Sequence, residues 1–265
     1  MRTRIETTAT RRLLLASFVL PLLAGPGAAA PSLRIGVAHL PPATETPEAR
    51  LFTDEGFEQE IGREIGRRLG VGVEFAALPP ADLIAAVDAG SLDLALTRIG
   101  AGAEVPPTLD ALGLGYGSAL SVSMRTDTDI GAWEELAGRT VCIAEGNAAA
   151  RAVAEREGAR VRSERAPALS LMLVRTGACD AAVHDRALLA TLFEDEAWRK
   201  FSSDLPPRAA SELVAIVRPD AGIAAELAPV AAELASGEGW EARRARWARN
   251  VAFEVYLEQD APDCH

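Results

Sequence analysis

Lysine is almost missing from this chain of 265 residues. Lys200 is the only one, and arginine supplies every other basic side chain. Mechanisms that need a phosphate-binding or Schiff-base lysine are therefore disfavoured. Basic residues are also outnumbered by acidic ones, which gives a formal charge of −11. Nucleic acid and anionic membranes attract basic patches, so neither is an expected partner.

Cysteine and histidine are scarce as well, with three of each. No CxxC or His-x-x-x-His spacing occurs, so the sequence gives no support for a structural metal, and no cofactor is predicted. His39 and His184 both follow apolar runs, so both are able to face one cleft. A metal bridging them is the less favoured interpretation, and a satisfied or solvent-facing imidazole is the default for each.

Long hydrophobic runs are absent, and the longest, Leu13 to Leu23, is shorter than the roughly 20 residues of a membrane span. Four arginines lie in the first twelve residues, and small residues follow the run. This order predicts a signal peptide at residues 1–29, cleaved after Ala28 or Ala29. Thr10 to Leu15 resembles a twin-arginine export signal, with an ordinary secretory signal as the alternative. The mature chain is expected in an oxidising periplasm.

What the mature sequence contains is a repeated order of elements. Apolar runs alternate with helical patterns as strand-helix-strand-helix-strand, first over residues 33–96 and again over residues 140–183. The clearest helix begins at Gly56 in GFEQEIGREIGRRL, where Phe57, Ile61 and later apolar residues recur every four positions. Two such α/β units predict two doubly wound lobes with a ligand cleft between them.

The cysteines add one long-range constraint. Cys142 lies in the first strand of the second unit, and Cys179 opens its third strand. In a sheet of order 2-1-3 these strands are neighbours, so the sequence predicts a Cys142–Cys179 disulfide, with two buried thiols as the alternative. Cys264 is then left over near the end of the chain.

Several stretches resemble the signature segments of family 3 extracellular solute-binding proteins, the receptors of polar amino acid ABC importers. They are GFEQEIGREIGRRL at 56–69, GSLDLA at 90–95, Tyr116, LAGRTV at 136–141, EGN at 145–147, CDAAVHD at 179–185, and the Gly-to-Trp segment at 237–247. Together they span nearly all of the mature chain. Gln59 departs from the pattern, because an apolar residue is usual there.

The resemblance implies a type II periplasmic binding protein fold, in which two lobes are joined by two hinge strands. Lobe one would comprise residues 33–117 plus 216–260, and lobe two residues 118–215. The hinges would lie near residues 118–122 and 211–215. The implied partners are a small polar ligand and the membrane permease of an importer, and the chain is expected to be a monomer.

The resemblance also implies a ligand site. An amino acid ligand would place its ammonium on an Asp at the end of the third strand of lobe two, and an anionic group at a helix N-terminus. The carboxylate-binding arginine of the family is missing from residues 102–106, and Ala43 replaces an aromatic that usually stacks on the ligand. Arg98 lies earlier in the chain, directly at the end of the third strand. Its side chain is expected either to reach into the cleft or to form a salt bridge on the surface. Phe52 or Tyr116 would have to replace the missing ring. The candidate ligand-binding residues are Asp185, Gly146, Asn147, Arg98, Thr97, His39 and Tyr116.

Three functions remain open at this point. The first is a solute receptor for an importer, binding an amino-acid-like or amine-bearing ligand. The second is an accessory protein of a periplasmic quinoprotein dehydrogenase, which the two missing ligand contacts favour. The third is an enzyme such as a cyclohexadienyl dehydratase, with Glu145 as its acid. No base or activated nucleophile accompanies Glu145, so an enzyme is not expected.

Overall fold

The computed structural model describes residues 32–41, 52–100, 102–237 and 239–258. The predicted signal peptide, Ala43 and Cys264 lie outside this part of the chain. The strands are β1 Ser32–Val37, β2 Gly72–Ala77, β3 Leu94–Gly100, β4 Asp110–Arg125, β5 Thr140–Ala144, β6 Arg160–Glu164, β7 Ala181–Asp185, β8 Phe201–Ser202 and β9 Arg208–Val217. The helices are α1 Glu58–Leu69, α2 Pro80–Asp88, α3 Ala148–Arg156, α4 Pro167–Arg175, α5 Arg186–Leu192, α6 Ala224–Ser236 and α7 Gly239–Leu257.

All strands join one sheet in the order β2-β1-β3-β9-β4-β7-β5-β6, and β8 pairs with β4. Strands β2, β1 and β3 run parallel with α1 and α2 as connections, and they form the first lobe. Strands β6, β5 and β7 repeat this arrangement with α3 and α4, and they form the second lobe. Both lobes have the 2-1-3 strand order that was expected for the second. The long antiparallel strands β4 and β9 join them, as expected for two hinge strands.

Two strands are longer than the sequence pattern predicts. The first predicted α/β unit ends at residue 96, but residues 97–100 continue β3 by pairing with β9 as far as Gly100↔Ser211. The first hinge was expected near residues 118–122, yet strand β4 begins at Asp110 and pairs with β9 along most of its length. In both cases hydrogen bonds to β9 outweigh a glycine-rich local sequence, because strand formation depends on tertiary pairing more than on propensity.

Helix α1 packs very closely on the first lobe. Its Ile61 and Ile65 are fully buried, as the four-residue spacing predicts. Two buried glycines allow the close approach: a Cβ on Gly62 would lie 2.6 Å from the ring of Phe75, and one on Gly66 would lie 2.3 Å from Val73. Any larger side chain at either glycine would push the helix off β2.

An aromatic cluster ties the start of α1 to a hinge strand and to the last helix. The ring of Phe57 lies 4.8 Å from that of Tyr116 in β4, 5.4 Å from Trp240 and 5.0 Å from Trp247 in α7. These are edge-on contacts, the favourable geometry for aromatic pairs. Trp240 Nε1 donates to the Leu114 carbonyl at 2.8 Å, which satisfies its buried N–H. The cluster therefore fixes the loop that precedes α1.

The two lobes share one apolar core. The largest cluster of buried side chains includes residues of β1 and α1, residues of α4 and α5 such as Leu171 and Leu188, and residues of α7 such as Trp247 and Val251. Helix α7 thus packs on helices of the second lobe as well as on the first. Opening the cleft would expose this surface at a cost of about 25 cal/mol per Å² of apolar area. No helix in the described part of the chain is both long and apolar enough to cross a membrane.

The Cys142–Cys179 disulfide is present, with the two Cα atoms 6.0 Å apart. Cys142 lies in β5, and Cys179 lies two residues before β7, slightly outside the strand in which it was expected. Both are buried. The bond links the central strand of the second lobe to its neighbour.

Removing this disulfide should destabilise the chain by about 2–4 kcal/mol, because it closes a loop between residues 37 positions apart and limits the unfolded state. Urea unfolding of a C142A/C179A double variant, compared with the oxidised parent, measures the difference. Cys264→Ala is the control and should leave the midpoint unchanged. An unchanged midpoint on reduction would contradict the prediction.

Candidate functional site

The two lobes meet at an ion pair between Arg98 and Asp185. Arg98 extends from β3 in the first lobe, and Asp185 ends β7 in the second. Arg98 Nη1 donates to Asp185 Oδ2 at 2.6 Å, and its Nε donates to Ser211 Oγ at 3.1 Å. The Asp185 side chain is 1% exposed and that of Arg98 is 23% exposed. Arg98 therefore reaches into the cleft, which was one of its two predicted positions.

Asp185 has further donors around its other oxygen. The Ser118 hydroxyl donates to Oδ1, and the Ala187 N–H donates to the same atom at 2.8 Å. Asp185 is thereby the N-cap of α5, a position that favours aspartate. Burial alone would lower the pKa of Arg98, but the charge of Asp185 and the hydrogen bond to it outweigh burial and raise that pKa. Arg98 is thus fully charged near neutral pH.

The ring of Tyr116 packs against the Arg98 side of this ion pair. Its ring is buried in the aromatic cluster, and the Arg98 Cζ atom lies over it, 5.2 Å from the centroid. Its hydroxyl is buried and has no hydrogen-bond partner among the described residues. Burial, followed by the charge of Asp185, raises the pKa of Tyr116 above its usual range, so the phenol stays neutral. The site therefore holds one neutral donor that is not yet used.

A second set of contacts crosses the cleft at Glu55, which precedes α1 in the first lobe. Its carboxylate accepts from Asn147 Nδ2 at 3.0 Å, from His184 Nδ1 at 2.9 Å and from the Asp185 N–H at 3.3 Å. All three donors belong to the second lobe. The Glu55 side chain is 5% exposed and that of His184 is fully buried. One buried carboxylate thus binds the second lobe directly.

Charge stabilises this contact. Burial would raise the pKa of Glu55, but the charge of His184 and the three hydrogen bonds outweigh it and lower the pKa. The Ser170 Oγ lies within hydrogen-bond distance of His184 Nε2 and also of the Pro167 carbonyl, at 2.9 Å from the latter. The buried His184 ring therefore has a partner at each nitrogen, Glu55 at Nδ1 and Ser170 at Nε2.

A small cavity of about 190 Å³ opens next to these residues, between the loop before α1 and helix α7. Its lining includes His39, Asp54, Glu58 and Gly146. Burial raises the pKa of both Asp54 and Glu58, although His39 and then Arg63 lower that of Asp54 in part. A Cβ on Gly146 would lie 3.2 Å from the His39 ring, so the two lobes nearly touch here.

The structure brings most of the predicted site residues together, but it pairs them with one another. Arg98 and Asp185 form the ion pair, and Tyr116 contacts Arg98. Asn147 caps α3 by accepting from the Ala150 N–H, and its amide binds Glu55. Gly146 and His39 line the small cavity, and Thr97 is buried one position before Arg98. The described residues include no cluster of three His, Cys, Asp or Glu side chains able to hold a metal.

Three participants were missed by sequence reasoning: Glu55, Ser118 and Ser211. Glu55 lies just before the GFEQEIGREIGRRL segment, and its partners lie about a hundred residues away, so no local pattern marks it. The two serines lie in β4 and β9, where alternation shows burial but not which side chain faces a partner lobe. His184 was expected to be satisfied or solvent-facing, and it lies fully buried with two partners.

No known protein-family model matches the chain, and no curated protein matches it either. Solved structures do. The GluR0 ligand-binding core in complex with L-glutamate is similar at 15% identity with a TM-score of 0.54, covering 84% of this chain and 98% of that one. Holo ArgBP from T. maritima is similar at 19% identity and a TM-score of 0.51, covering 82% and 95%.

A histidine kinase sensor domain with similarity to periplasmic binding proteins is similar at 23% identity and a TM-score of 0.53, covering 82% of this chain and 96% of that one. At these identities the likeness concerns the fold. The chain therefore has the two-lobe α/β fold of periplasmic binding proteins, as the sequence predicts.

Proposed function

We propose that this chain is an extracytoplasmic solute-binding protein whose cleft takes a small zwitterion such as an amino acid. The Arg98–Asp185 ion pair carries the proposal. An arginine from one lobe and an aspartate from the other lie at the junction of the lobes with complementary charges. A ligand that carries both a carboxylate and an ammonium can take the place of Asp185 beside Arg98 and the place of Arg98 beside Asp185.

The exchange conserves charge. The ligand carboxylate would accept from Arg98, in place of the family arginine missing from residues 102–106, and its ammonium would donate to Asp185. Each charge then keeps a partner, as a buried charge requires. The unused Tyr116 hydroxyl supplies one further donor. Contacts to both lobes would shift the chain toward its closed state.

The remaining assignments follow from this function. We place lobe one at residues 33–117 plus 216–260 and lobe two at residues 118–215, with boundaries inside β4 and β9. Export through the N-terminal signal would bring the mature chain to the periplasm. We further propose that the chain acts as a monomer and delivers its ligand to an ABC permease.

Isothermal titration of the mature chain against amino acids tests the exchange. We expect a free amino acid to bind, and its N-acetyl and amide forms to bind at least about tenfold more weakly, because each lacks one charge. Arg98→Met and Asp185→Asn should show a similar loss. Arg160→Gln, an exposed arginine on β6, is the matched control.

The outcome that contradicts the proposal is an absence of both heat and thermal shift across amino acids, amines and small acids. That result would favour the second candidate, an accessory protein of a periplasmic quinoprotein dehydrogenase. One observation supports this candidate: the cleft is filled by the chain's own side chains, and the two lobes share an apolar core. Co-purification of a dehydrogenase with the tagged chain would identify that role.

A further inference from the structure

A groove of about 820 Å³ lies along the hinge strands, outside the cleft described above. It is lined by the loop after β3, by both hinge strands and by the exposed side of α5. The lining residues that carry the argument below are Gly102, Gly117, Arg186, Ala190 and Glu212. Its volume falls in the range of about 300–1,000 Å³ that is typical of ligand sites. It therefore has room for more than a single polar group.

Most of the lining is glycine and alanine, so the floor of the groove is close to backbone. A Cβ added at Gly102 would meet nothing within 4 Å, and one at Gly117 would make ordinary contacts at 3.7 Å. Space at these positions is thus open and not already filled by a neighbouring side chain. A ligand with small side chains could lie directly along the backbone.

The groove carries one charge of each sign. Arg186 is exposed at the start of α5, and Glu212 is exposed on β9. Neither side chain has an ion pair or hydrogen bond with any other residue in the described ranges, whereas most arginines of this chain pair with an acid. Two unpaired opposite charges in one concave site complement a ligand that carries both charges at separate ends.

We propose that this hinge groove binds a short peptide with free termini. Its carboxylate pairs with Arg186, its ammonium pairs with Glu212, and its backbone lies over the glycine and alanine floor. Arg98 and Asp185 do not line the groove, and the hydroxyls of Ser118 and Ser211 on its wall already bond to that pair. The peptide site is thus spatially distinct from the site of the amino acid exchange proposed above. Because its walls come from both lobes, occupancy would resist lobe opening.

Trialanine is the probe, since its side chains match the small lining. We expect the mature chain to bind trialanine in isothermal titration, and to bind the N-acetyl and C-terminal amide derivatives at least about tenfold more weakly. In Arg186→Gln the free acid and the amide should bind equally, because the partner of the carboxylate is gone. In Glu212→Gln the free and N-acetylated peptides should bind equally.

A steric test accompanies the charge test. Ala190→Trp fills the groove from an exposed helix position and should abolish peptide binding, whereas Ala197→Trp, exposed outside the groove, should not. Arg160→Gln is the control for loss of an exposed arginine. A free amino acid bound in the cleft should not displace trialanine, which separates this site from the amino acid site. The proposal is overturned if the parent does not bind trialanine, or if amidation weakens binding to Arg186→Gln as much as to the parent.

Discussion

Replacing Glu55 by alanine should lower the free energy of unfolding by about 3–5 kcal/mol, because three buried donors would lose their acceptor at about 1–3 kcal/mol each. The Nδ1 atom of His184 would remain buried without its partner. The Asn147 amide and the Asp185 N–H would lose their acceptor as well. Urea unfolding followed by tryptophan fluorescence gives the difference directly.

Two variants separate this effect from the general loss of an acid. Glu60→Ala removes a carboxylate that is 40% exposed and pairs with Arg243 and Arg246. It should cost about 0–1 kcal/mol, as exposed ion pairs do. Glu55→Gln keeps an acceptor for Asn147 and should fall between the two. A Glu55→Ala variant as stable as Glu60→Ala would show that the contact adds nothing.

The contribution of Glu55 should also depend on pH in a defined direction. Its pKa is lowered by folding, so its stabilisation is complete above the ordinary value of 4.5 and is lost as the pH falls through the lower folded value. Asp54 and Glu58 have raised pKa values, and their effect has the opposite sign. The difference in stability between the parent and Glu55→Gln reports on Glu55, and it should shrink as the pH falls below about 4.5.

The lobes should respond to the same substitution. Glu55 is the residue through which the loop before α1 binds three donors of the second lobe, while that loop is held on the first lobe by the Trp247 Nε1 bond to the Asp54 carbonyl. Faster hydrogen exchange at the start of α3 in Glu55→Ala would report local separation of the lobes, because exchange there requires the interface to open.

The fold was largely accessible from sequence because its information is periodic and local. Helix α1 shows its buried face in the spacing of Ile61 and Ile65, and the 2-1-3 order of both lobes follows from alternating strands and helices. That order in turn brought Cys142 and Cys179 close enough to predict a disulfide. The errors occur at β9, whose pairing extends β3 and β4 through glycine-containing stretches that resemble turns.

The site was accessible only in part, for a related physical reason. Residues at strand ends, such as Asp185 and Arg98, converge whenever the topology is right, so their proximity follows from sequence order. The hydrogen-bond partners that satisfy these two side chains do not follow from sequence order. Glu55 lies on a loop whose path depends on the aromatic contacts of Phe57, and its partners come from three separate elements. Tertiary packing determines which acidic side chain is buried. A sequence pattern predicts burial only in helices and strands, where apolar residues recur at a regular spacing.

The Arg98–Asp185 pair should show an asymmetric response to substitution. Asp185 is almost completely buried, so Arg98→Met leaves an enclosed carboxylate with only the Ser118 hydroxyl and the Ala187 N–H, at a cost of about 3–5 kcal/mol. Asp185→Asn leaves an arginine that is 23% exposed and therefore partly hydrated, which should cost about 1–3 kcal/mol.

A double-mutant cycle makes this asymmetry decisive. The R98M/D185N variant removes both charges, so neither is left buried alone, and its destabilisation should be smaller than the sum of the two single effects by about 0.5–3 kcal/mol. Additive effects would mean that the two side chains do not interact in solution. The same variants report on function, because an amino acid that exchanges with the pair needs both charges. Stability would therefore recover in part in the double variant while amino acid binding stays lost, an outcome that a purely structural ion pair would not produce.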